Sequence, residues 1–116
     1  LFRRVYDVSM QRGKAMTTYN IELNEDILEV NFGEPASNEQ IVKDAAARLE
    51  EMAKSGKLRG GQLLKINGPT SIPVAFVLAH RLCHLYGAIA IFDPKLGKFV
   101  ICVTHNPAYN LGDLID

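Results

Sequence analysis

Charge of one sign is what this chain lacks first. Its thirteen Lys and Arg residues are balanced by thirteen Asp and Glu, a formal net charge of zero over 116 residues. A general nucleic-acid binder carries a strong basic excess, so that class is disfavoured, while a small anionic ligand held by local groups stays open. Long apolar runs are missing as well. No stretch approaches the roughly 18 residues of a membrane-spanning helix, and the N-terminus has no signal-peptide block, so a cytoplasmic location is the expectation. Cysteine is scarce: Cys83 and Cys102 lack C-x-x-C spacing and lie in apolar stretches, which reads as reduced core thiols rather than a disulfide. There is no internal repeat and no low-complexity segment.

What is there fits one soluble domain, with 47% apolar and 22% charged residues. Residues 1–16, LFRRVYDVSMQRGKAM, show weak periodicity and are set apart as an N-terminal extension, an upstream linker or an expression scar, with Met16 a candidate natural start. The domain is expected over 17–116. TYNIEL and ILEVNF alternate apolar and polar residues around Asn24-Glu25-Asp26, the pattern of a hairpin. In SNEQIVKDAAARLEEMAKSG, Ile41, Ala45, Leu49 and Met52 recur at helical spacing. Ser37 and Gln40 predict a capping box, and Gly56 a C-cap. GQLLKING reads as a short strand, SIPVAFVLAHRLCHLYG as a second helix closed by Gly87, AIAIF as a strand buried on both faces, KFVICVTH as a last strand and NLGDLID as a tail. The order is ββαβαββ: an α/β domain with a mixed sheet of about five strands and two crossover helices.

In such sheets ligands bind beyond the carboxyl ends of the strands, where helix N-termini offer free amides to anions. NGPTS builds that edge: Asn67 and Gly68 end a strand, and Thr70 and Ser71 open the second helix. The same five residues also make an ordinary glycine turn with a Ser/Thr cap. Asp93 follows AIAIF at the same edge and Lys95 adds a positive charge, although Asp before Pro is also common turn chemistry. His80 and His84 stand at i and i+4 and can share a helix face as metal ligands do, with no third ligand in the sequence beside them. A crossover helix runs antiparallel to its strands. His84, late in the helix, therefore lies by the amino edge, and Asp93 lies at the opposite edge after about five strand residues, roughly 16 Å away. If both serve one reaction, they must come from different molecules arranged head to tail.

The series NGP, LAHRLCH, FDPKLG and THNPAYNLGDLID resembles the CRISPR-associated ring nucleases called Csx-three or Crn-three, over about residues 17–116. The resemblance implies a ferredoxin-like fold related to the CARF sensor domains. It implies a Mn²⁺-dependent phosphodiesterase that cuts cyclic tetra-adenylate, the second messenger of type III CRISPR systems, and so switches the antiviral response off. It further implies homodimers stacked head to tail with the ring between them. On this resemblance the catalytic residues are His84, Asp93 and Lys95, with Asp93 at the metal. Asn67, Gly68, Thr70, Ser71 and His80 are expected to bind the ligand. Lys95 departs from the family's arginine, keeping the charge and losing the bidentate fork. Two other readings stand beside this one: a cyclic-oligoadenylate sensor without catalysis, and a Mn²⁺-dependent RNA exonuclease. Few exposed aromatics for stacking weaken the exonuclease reading. A purely structural module is the plainest alternative.

Overall fold

The computed structural model describes residues 17–116, and the expected N-terminal extension over 1–16 lies outside them. Strands β1 (Tyr19–Asn24) and β2 (Ile27–Phe32) pair antiparallel in register from Tyr19↔Phe32 to Asn24↔Ile27. Helix α1 (Asn38–Lys54) buries Ile41, Ala45, Leu49 and Met52, the stripe its periodicity predicts. Gly56 follows it at φ 83, as a left-handed C-terminal position requires. Strand β3 (Leu64–Asn67), helix α2 (Ile72–Leu82), and strands β4 (Ala88–Asp93) and β5 (Lys98–Thr104) complete the expected α/β order.

Strands β2, β3 and β4 are parallel, and β5 returns antiparallel to β4. The C-terminal segment corrects the strand count. Instead of a free tail it carries a sixth strand, β6 (Leu114–Ile115), paired with Phe99 and Val100 of β5. Two residues are too few to show a period of two, so the strand left no pattern to read. The sheet order is β1-β2-β3-β4-β5-β6.

Both crossovers step the same way along the sheet, and α1 and α2 pack on each other and on one face of it. The core lies there, around Tyr19, Leu28, Leu49, Met52, Leu64 and Leu82. On the other face a smaller cluster of Ala90, Phe99 and Ile101 is backed by Tyr109 and Ile115 from the C-terminal segment. β4 is accordingly buried through Ala90 and only half-buried beyond it. Both cysteines are free, but neither is fully in the core: Cys83 is half-buried and Cys102 exposed. Ile89 faces Val103 and Ala90 faces Ile101, which leaves Cys102 as the extra residue of a bulge. No helix among the described residues is long and apolar enough to cross a membrane.

Candidate functional site

A right-handed crossover helix has to start where its strand ends. α1 and α2 therefore both begin at the carboxyl edge of β2 and β3, and their first residues touch. Ser71 donates its hydroxyl hydrogen to Asn38 Oδ1 at 2.9 Å, and its Oγ accepts from the N–H of Val74 at 3.3 Å. Ser71 thus caps α2 and ties it to the start of α1. Below it, the buried Tyr19 hydroxyl donates to the carbonyl of Pro69 at 2.7 Å. Burial pushes the Tyr19 phenol up from its ordinary value, against a smaller opposite effect of its hydrogen bond with Thr70, so the phenol stays a donor. Asn67, the last residue of β3, reaches Glu29 of the neighbouring strand at 3.5 Å. Gly68 has φ 135, and a Cβ there would stand 1.8 Å from the carbonyl oxygen of Val30. Only glycine lets the chain leave the sheet at this point. Thr70 is exposed at the mouth of the edge.

Asp93 ends β4 on the same edge, half-buried. Its Oδ1 accepts the N–H groups of Lys95 at 2.8 Å and Leu96 at 3.3 Å, while its carbonyl accepts Gly97 N–H at 2.8 Å. Asp93 is thereby a turn former, the plainer role its place before Pro94 suggests, and its Oδ2 has no hydrogen-bond partner among the described residues. Lys95 is exposed, and its ammonium has no partner among the described residues.

The histidines lie elsewhere. His80 is in the last turn of α2, whereas His84 falls outside the helix, which ends at Leu82 rather than running to Gly87. The N–H groups of Leu85 and Tyr86 both fold back on the carbonyl of Leu82, closing the helix early. Gly87 is no left-handed cap: a Cβ there would stand 3.2 Å from the Gln62 carbonyl oxygen, so the glycine serves close packing instead. His80 and His84 remain neighbours, with ring centroids 5.0 Å apart, and both are exposed. Asn67, Gly68, Thr70, Ser71, Asp93 and Lys95 thus share the carboxyl edge, while His80 and His84 lie toward the amino edge. Of the six residues of β4, the five before Asp93 lie between the two groups, about 16 Å of strand. One subunit does not bring His84 to Asp93.

Two contributors belong to no sequence motif. Asn38 is one, although a second helix start at this edge follows from the topology alone. Tyr19 is the other, and only the folded contact to Pro69 identifies it. A groove between β1 and α1 is lined by Glu22, Asp44, Arg48, Glu51 and Lys57 among others; three carboxylates against two cations leave it net negative, which disfavours an anion there. No curated protein and no solved structure matches the chain. A family model does, over residues 37–116, a span holding both helices, the NGPTS turn, His84 and Asp93, and on that match the chain belongs to the family of the CRISPR-associated protein (Cas_csx3).

Proposed function

We propose that this chain is a ring nuclease of type III CRISPR immunity, acting in the cytoplasm, which binds cyclic tetra-adenylate, cleaves a phosphodiester bond of the ring and so ends the antiviral signal. Family membership supplies the CRISPR context. The observation that carries the reading is the division of polar groups: the Thr70 hydroxyl, the Asp93 carboxylate and the exposed Lys95 on one edge, exposed imidazoles toward the other. A site of this kind is completed when the carboxyl edge of one subunit faces the histidine edge of another, as dimers stacked head to tail would place them.

In that arrangement the Ile72 N–H at the start of α2 addresses a phosphate oxygen, since Pro73 has no N–H and the Val74 N–H is held by Ser71 Oγ. The Thr70 hydroxyl turns from the Ser71 carbonyl, to which it donates at 2.9 Å, toward a second oxygen, and Lys95 offsets their charge. Ser71 is spent on its cap, so its part is to hold the helix start in place. Asp93 Oδ2 orients the attacking group. His84 takes a proton from the attacking oxygen or delivers one to the leaving oxygen. Among the described residues no three His, Cys, Asp or Glu side chains stand together to hold an ion. A lone carboxylate completed by substrate phosphates suits a hard divalent cation, so Asp93 would hold Mn²⁺. That ion would supply charge neutralisation at the phosphate.

The test is incubation of the purified chain and its His84→Ala variant with cyclic tetra-adenylate, with Mn²⁺ or with EDTA. Linear product from the parent and intact ring with the variant are expected. A ring that binds and stays intact under every condition overturns the nuclease reading in favour of the sensor, which the structural use of Asp93 Oδ1 favours.

A further inference from the structure

The proposed mechanism uses one of two neighbouring histidines. The rings of His80 and His84 are 5.0 Å apart, centroid to centroid, with their planes at 90°. Both are exposed, and neither ring has a hydrogen-bond or carboxylate partner among the described residues. The one cation next in sequence to His80, Arg81, is already ion-paired with Glu50 across the helices. The Cys83 thiol donates to the His80 carbonyl at 3.3 Å and packs against the core, which turns it away from the pair.

We propose that His80 and His84 form a two-imidazole clamp for a borderline divalent transition metal of the Zn²⁺, Ni²⁺ or Cu²⁺ class, and that occupation of the clamp withdraws His84 from proton transfer. Spacing of i and i+4 brings two imidazoles onto one side of a helix, and the perpendicular rings at the end of α2 keep that neighbourhood past Leu82. Neutral imidazole is a preferred ligand of these ions, and affinity rises from Mn²⁺ toward Cu²⁺ along the first-row series. The clamp therefore selects against the hard ion expected at Asp93, and the two sites divide metals by ligand type. With no third protein ligand among the described residues, water fills the remaining positions, so the clamp is reversible rather than structural. A lone pair bound to metal accepts no proton, and this is how occupation would silence His84. Only that last consequence rests on the nuclease reading; the binding itself does not.

The chain has three histidines, so the untagged protein supplies its own control in His105, exposed just past β5. The 116-residue chain is titrated with Zn²⁺ and with Ni²⁺ by calorimetry, without nucleotide, and passed over immobilised Ni²⁺. The parent, Cys83→Ser and His105→Ala are expected to show a one-equivalent step and retention. His80→Ala, His80→Gln and His84→Ala are expected to lose both, with circular dichroism unchanged because both side chains are exposed. An absent step in the parent, an undiminished step in the two His80 variants, or loss of the step in Cys83→Ser overturns the clamp. In turnover of cyclic tetra-adenylate, Zn²⁺ should suppress the parent, and His80→Gln should need more Zn²⁺ for the same suppression. Equal suppression of both overturns the link to His84. A chain that leaves the ring intact fails the nuclease reading while the isotherm still decides the clamp.

Discussion

Gly68 is the residue on which the candidate edge depends most directly. With φ at 135 and a would-be Cβ 1.8 Å from the Val30 carbonyl oxygen, alanine brings both backbone strain and a clash with main chain that no rotamer relieves. Gly68→Ala is expected to destabilise the fold by about 3 kcal/mol, read as a lower urea midpoint at unchanged slope. Asp44 makes a gentler case with a sign that can be worked out. Thr18 Oγ1 donates to Asp44 Oδ2 at 2.7 Å and Gln40 Nε2 to Oδ1 at 2.9 Å. The Thr18 hydrogen bond is the largest influence and lowers the carboxyl below its ordinary value of 3.8, with burial opposing and Gln40 adding to the lowering. A carboxyl depressed in the folded state stabilises above its unfolded pKa, and the contribution is lost as pH falls through the folded value. Thr18→Val should therefore shrink the loss of stability below pH of about 4 and move the Asp44 carboxyl titration upward, both measurable by NMR and acid-dependent denaturation. The carboxylate is largely solvated, so the effect is small.

At the scale of elements, the two helices differ in how they start. Ser71 caps α2 through its side chain, whereas Ser37 at the start of α1 makes no side-chain cap. The capping box that Ser37 and Gln40 predict does not form, because the Gln40 amide bonds Asp44 one turn on and only the Ser37 carbonyl receives the first N–H groups. Ser71→Ala should then cost about 1 kcal/mol and Ser37→Ala a few tenths at most, compared by urea denaturation of the two variants side by side. The same contrast explains what was legible. Ile41, Ala45, Leu49 and Met52 announce α1 because burial imposes a period over many residues, and the hairpin and parallel strands follow from equally sustained patterns. Helix ends and short strands obey a few local hydrogen bonds instead: α2 stops at Leu82 and β6 lasts two residues. The carboxyl edge was legible because crossover handedness leaves the helix starts no other place. The bonds that stiffen it, Ser71 to Asn38 across 33 positions and Tyr19 to Pro69 across 50, link residues that no local pattern connects.

At the scale of the whole molecule, the separation of His84 from Asp93 turns a catalytic reading into a statement about assembly. The rigid strand β4 lies between the two groups, and neither side chain is long enough to cross about 16 Å. A reaction needing both must draw them from two subunits, and two consequences distinguish this from a site within one subunit. Specific activity on cyclic tetra-adenylate should rise over a tenfold range of protein concentration, because dilution dissolves the shared site. More decisively, His84→Ala and Asp93→Ala should each be inactive alone and active when mixed. A junction works when its Asp93 comes from the His84→Ala chain and its His84 from the Asp93→Ala chain. Random assortment makes one junction in about four of that kind, so an equimolar mixture should recover roughly a quarter of the parent rate at equal total protein. Recovery near that level assigns the two residues to different subunits of one site. A mixture as inactive as its components places both residues in the same subunit's chemistry or excludes one of them from it. Activity that does not change on dilution points the same way, because a site complete in one subunit is indifferent to its neighbours.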